Sequence, residues 1–163
     1  MDRTADAAPD DLADDADSRD NVVYRQVIAV LALIAGLVAL YLALVKRGVF
    51  GIPACGPGSG CTLAWFGPYG NFLGVDVALI GAVGYGVLTA LAILGTFDRF
   101  AGDRRLSAII LGGVVAAVLF TWRLKYGEWW VLRTFCIWCA ESFVTIHACL
   151  VLAWLDWRRV RRG

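Results

Sequence analysis

Long apolar runs, each closed by charge, set the pattern of this chain. The first, VIAVLALIAGLVALYLALV, spans Val27 to Val45 without a charged residue and stops at Lys46-Arg47. About 20 such residues, rising about 1.5 Å each, cross the hydrocarbon core of a bilayer as a helix. A second run, Val77 to Gly95, has Thr89 as its main polar interruption, and its glycines predict close approach to neighbouring helices. The third, Leu106 to Trp122, is shorter, but Arg104-Arg105 and Arg123 flank it and can snorkel to the interfaces. In the fourth, Phe135 to Trp157, the first half carries Glu141, Ser142, Thr145 and His147. Such a polar half-span predicts burial against other helices, or a site. The pattern predicts an all-α integral membrane protein: a bundle of four transmembrane helices, with a cysteine-containing loop between the first two.

Composition agrees, because a chain that is 60% hydrophobic and 18% charged is too apolar for an ordinary soluble domain. Charge is uneven. Residues 1–21 hold eight Asp, two Arg, one Leu and no aromatic residue, too little apolar surface to offset the entropy of ordering. This segment reads as a disordered acidic tail ahead of a membrane domain over residues 22–163. It is no signal peptide, which needs a positive start and an early apolar core.

Lys and Arg near the spans set the orientation. Arg3, Arg19, Arg25, Arg99, Arg104, Arg105, Arg158, Arg159, Arg161 and Arg162 fall on one side, against Lys46, Arg47, Arg123, Lys125 and Arg133 on the other. This excess puts both termini in the cytoplasm and turns residues 48–73 and 125–134 outward. WRRVRR, directly after a span, reads as a lipid-facing cytoplasmic anchor rather than a nucleic-acid site.

Cys55, Cys61, Cys136 and Cys139 then share the outer face, while Cys149 lies deeper in the fourth run, where a small apolar filler is expected. That outer compartment is oxidising, which favours pairs that form and exchange disulfides. The first pair, in CGPGSGC, brackets a short flexible linker that can close a disulfide and reopen. The second, in RTFCIWCAE, sits where a helix begins, and the unsatisfied N–H groups and positive dipole end there suit an anionic sulfur. On a helix Cys136 and Cys139 share a face that Phe143 and Ile146 continue, opening toward an apolar pocket. Two rival readings stay open: a zinc site built from the four thiolates, and static disulfides on a non-catalytic membrane scaffold.

The paired-cysteine loop, the segment YGNFLGVDVALIGAVGY entering the second run and FCIWC opening the fourth resemble the vitamin K epoxide reductase family over roughly residues 24–157. The cysteine order differs from the DsbB type of quinone reductase, whose Cys-x-x-Cys lies in its first outer loop. The resemblance implies a four-helix bundle around a quinone of menaquinone, ubiquinone or phylloquinone type, with no metal. It implies further that Cys55 and Cys61 take electrons from a thioredoxin-like or DsbA-like protein, that Cys136 exchanges with the loop pair, and that Cys139 contacts the quinone. Supporting disulfide formation outside the cell membrane is the implied function, and quinone epoxide an additional substrate. Because the chain ends at Gly163 without a fused thioredoxin-like domain, the donor is expected to be a separate protein.

Departures from the family pattern are Gly67, where a serine or threonine is usual, and Gly74-Val75-Asp76 in place of Gly-x-Pro. Asp76 is suited to cap the second helix. For the quinone pocket the candidates are Asn71, as donor to a carbonyl, with the rings of Tyr69, Phe72 and Phe143; an interfacial aromatic belt is the competing reading of such residues. Glu141 falls about 200° from Cys139 on a helical wheel and is expected to stabilise the helix end rather than transfer protons. His147 is expected to be a hydrogen-bonded bundle residue.

Overall fold

The computed structural model describes the backbone of residues 9–51, 60–97, 99–100 and 102–162, with side chains from Val22 onward apart from those of residues 60, 61 and 63. Helix α1 runs Pro9–Lys46, α2 Gly60–Phe66, α3 Val77–Leu94, α4 Arg104–Tyr126 and α5 Ile137–Val160. A two-stranded hairpin, β1 (Asn71–Phe72) and β2 (Val75–Asp76), leads into α3, and a π-helical turn, Gly127–Val131, follows α4. Among the described residues four helical segments are long and apolar enough to cross a membrane: Val22–Lys46, Val77–Leu94, Arg104–Val131 and Ile137–Val160. Each contains most or all of one expected run.

Helix α1 begins inside the acidic segment that composition alone assigns no regular structure. Pro9 at its first position has no N–H to lose. The third span is also longer than its apolar run, because Arg123 and Lys125 lie within the last turn of α4.

The principal contacts run between α1 and α3, α1 and α5, and α4 and α5, while α3 and α4 meet sparsely. Ile28, Ala32 and Ala35 of α1 form the core with Tyr85, Leu88 and Ala92 of α3, Ile110, Val114 and Val118 of α4, and Ile146, Cys149 and Ala153 of α5. Cys149 is fully buried there, as expected of a small filler. A Cβ on Gly36 would stand 3.2 Å from Cβ of Tyr85, so glycine is what lets α1 approach α3.

At one end of the bundle Arg25 of α1 ties the helices together. Its Nε donates to Asp156 Oδ1 of α5 (3.0 Å), and its other nitrogens reach the carbonyls of Gly95 (2.7 Å) and Phe100 (2.8 Å) and the hydroxyl of Ser107 (2.7 Å). Ser107 in turn donates to Asp156 Oδ2 at 2.7 Å.

The hairpin at the other end turns through Leu73 (φ 52°) and Gly74 (φ 81°), both left-handed, as a tight two-residue turn requires. Asp76 caps α3 by accepting from the Ala78 N–H at 3.0 Å, the role expected of it.

Candidate active site

Cys136 is the N-cap of α5, with extended backbone, and its Sγ accepts from the Cys139 N–H at 3.4 Å. The helix proper begins at Ile137, so Cys136 stands at its mouth and Cys139 in its first turn. Cys136 is fully buried in a cluster with Leu42 and Val45 of α1 and Trp65 of α2. Helix α2 also carries Cys61, so the backbone that bears one loop cysteine packs, through Trp65, on the Cys136–Cys139 pair. The side chain of Cys61, and Cys55 altogether, lie outside the described residues.

Cys139 instead lines a cavity of about 550 Å³ enclosed by all four spans. Ala35, Val38 and Leu42 contribute from α1, Ile80, Gly84 and Leu88 from α3, Gly113, Ala117 and Phe120 from α4, and Ile146 from α5. Lining residues Gly84 and Val87 of α3 and Gly113 and Ala116 of α4 are exposed, so the cavity opens between these sparsely packed helices. The polar groups in its wall are few and mostly engaged. Tyr85 shares a hydrogen bond with the Ser142 hydroxyl (2.8 Å), and Thr145 donates to Glu141 Oε1 at 3.0 Å. Lys46 donates to the Gly70 carbonyl (2.8 Å), Asn71 Oδ1 (3.2 Å) and Asp76 Oδ1 (3.3 Å), which pins the hairpin to the end of α1.

Of the four pocket candidates, Tyr69 lines this cavity, and its ring packs so closely on Gly127 that a Cβ there would collide with it. The other three do not. Asn71 is exposed, with its carbonyl oxygen bound to Lys46. Phe72 sits edge-on to Phe120 with centroids 5.4 Å apart, under the Arg123 guanidinium. Phe143 packs with Trp122, Trp129 and His147 instead.

The reason for Phe143 is angular. At about 100° per residue, Ile146, Ser142 and Trp138 fall about 20°, 60° and 100° to one side of Cys139, and all three line the cavity. Phe143 falls about 40° to the other side, outside that arc. Glu141 lies about 160° around, at the far edge of the same arc, and its side chain does reach the cavity. Standing nearly opposite Cys139 on the wheel does not keep Glu141 out of the cavity wall. His147 is hydrogen-bonded as expected, accepting from Trp122 Nε1 (3.1 Å) at Nε2, which leaves its Nδ1–H to donate to the Phe143 carbonyl at 2.7 Å.

Sequence reasoning missed a buried ion pair beside the cysteines. Lys125 Nζ lies 2.7 Å from Glu128 Oε2, and the other carboxylate oxygen accepts the Cys136 N–H at 2.6 Å. Both side chains line the cavity. Lys125 looks like an interfacial anchor in sequence, and only the π-helical turn swings Glu128 back under the start of α5. A charge of each sign three residues apart, close before the Cys-x-x-Cys, is the signal that was available.

The four-helix bundle thus sets a Cys-x-x-Cys between a buried apolar cluster and a cavity lined by all four spans. The family model described as the vitamin K epoxide reductase family matches residues 26–154, and the chain belongs to that family. Proteins of this family act on thiols and quinones in membranes.

Proposed function

We propose that this protein is a thiol–quinone oxidoreductase that passes electrons from extracytoplasmic protein thiols through Cys55 and Cys61 to Cys136 and Cys139, and from there to a quinone. The observation that carries this reading is the place of the Cys-x-x-Cys pair: Cys139 lines the cavity, and Cys136 beside it packs with Trp65, on the helix that bears Cys61. In this reading Cys139 serves the membrane-soluble acceptor and Cys136 the protein thiols. A volume of about 550 Å³ lies within the range of sites that hold small organic ligands. Its apolar wall, open between α3 and α4, suits a planar ring with a hydrocarbon tail trailing into lipid.

Two electrons and two protons leave a thiol pair as its disulfide closes, and quinone reduction to hydroquinone takes up the same number. The direction follows the reduction potentials of the couples, and a respiratory quinone draws electrons out of thiols. In this reading the donor is a thioredoxin-like or DsbA-like protein, both termini are cytoplasmic, and the cysteine pairs stand at the outer face of the cell membrane. Quinone epoxide presents a similar ring to the same sulfur and is a second substrate of this reading.

Purified protein supplied with a reduced thioredoxin-like donor and a soluble quinone should reduce the quinone, Cys139→Ala should abolish the reaction, and Cys149→Ala should retain it. Absence of quinone reduction in the wild type, or full activity in Cys139→Ala, overturns the proposal.

A further inference from the structure

Cys136 is wholly shielded from water, yet its thiol proton must leave each time it closes a disulfide with Cys139. A carboxylate adjoins it: Glu128 Oε1 lies 2.6 Å from the Cys136 amide nitrogen. Glu128 is itself buried, at 5% exposure, and so is Lys125, at 2%. Burying two charges is costly before their attraction offsets it, and ionisable groups buried in a membrane bundle mark proton and substrate pathways. The pair is held firmly: Lys125 also stands over the rings of Trp129 and Phe135, with centroids 5.4 and 5.6 Å away. The same carboxylate lines the cavity, so a single group adjoins both the place where a proton is released and the place where one is consumed.

We propose that Glu128 accepts the thiol proton of Cys136 as the Cys136–Cys139 disulfide closes and passes it toward the acceptor in the cavity. This rests on the thiol–quinone reading. Two S–H bonds break and one S–S bond forms. Two electrons and two protons pass to the quinone, whose two oxygens become hydroxyls. Glu128 carries one of those protons and returns to the carboxylate when it hands it on; the second comes from Cys139. Lys125 is a positioning residue that fixes the carboxylate.

The test substitutes Glu128→Gln, which keeps an oxygen for the Cys136 N–H but cannot carry a proton. In a first assay without quinone, fully reduced protein is oxidised by diamide, and closure of the Cys136–Cys139 disulfide is followed by alkylation and mass shift. Loss of a positioned base costs about 100-fold in closure rate, and the rate recovers about tenfold per pH unit as hydroxide replaces it. The other ionisable groups facing this region are unchanged: Lys125 on α4, Cys139 and Glu141 on α5, Lys46 on α1, Asp76 and Tyr85 on α3, and Tyr69. In a second assay kcat for quinone falls by a similar factor while the quinone KM is unchanged, and Glu128→Asp restores most of the rate.

Because Glu128→Gln strands the Lys125 ammonium, Glu128→Gln with Lys125→Met is the second variant; it removes both charges and should fold and show the same rate loss and pH rescue. Closure rates within threefold of wild type in a folded variant overturn the inference. A wild type that reduces quinone with Glu128→Gln unaffected in both assays sinks this inference alone. A wild type that shows the Glu128 dependence with diamide but never reduces quinone sinks the quinone reading and keeps Glu128 as the proton acceptor of Cys136.

Discussion

Replacing Asp156 by alanine should destabilise the bundle more than any single change at the surface. Arg25 is fully buried and Asp156 is 1% exposed, and the two are joined by the 3.0 Å ion pair while Ser107 bridges them. Alanine leaves the guanidinium without its counter-charge and the Ser107 hydroxyl without its acceptor. Breaking a buried pair by removing one partner costs about 3–5 kcal/mol. The carbonyls of Gly95 and Phe100 still bind Arg25 and hold the loss toward the lower end. For a chain of this size, each kcal/mol lowers the unfolding midpoint by about 2–4 °C, so a fall of about 10 °C is expected. Thermal unfolding in detergent micelles, followed by helical circular dichroism, measures it. The double variant Arg25→Met with Asp156→Leu removes both charges and should recover most of the loss. A midpoint for Asp156→Ala within about 2 °C of wild type would refute the reasoning, since the pair would then contribute no more than a surface salt bridge.

Two further outcomes follow from the cavity and its rim. Gly113 lines the cavity and a Cβ there meets nothing within 4 Å, so Gly113→Leu should fill the space and raise the quinone KM at least tenfold, whereas Phe143→Leu should leave it within twofold; steady-state kinetics with a soluble quinone decide both. Asp76→Ala removes the α3 cap and one of three acceptors of Lys46, which should cost about 1 kcal/mol in the same unfolding measurement and speed hydrogen exchange in the 70–78 segment.

The spans were legible because the length and polarity of a run settle whether it can cross a bilayer, whatever it packs against. The Asp76 cap was legible for a similar reason, since the rule is local. What the chain hid depends on direction. Sequence places Phe143 four residues past Cys139 on the same broad face, but the cavity lies to one side of Cys139, and only the packing of α1, α3 and α4 around α5 determines which side. Asn71 stands outside the cavity wall with its carbonyl oxygen on Lys46, which sequence presents only as a flanking anchor. Lys125 and Glu128 look like solvated charges past the end of an apolar run, and the π-helical turn that buries them leaves no periodic trace in sequence.

The central claim is that electrons leave the thiols through Cys139 to a membrane quinone. Its most direct test is the redox state of the Cys136–Cys139 pair, trapped by rapid alkylation in cells with and without respiratory quinone. The account predicts a mostly oxidised pair when quinone is present and accumulation of the reduced pair when it is absent. A pair equally oxidised in both would contradict it.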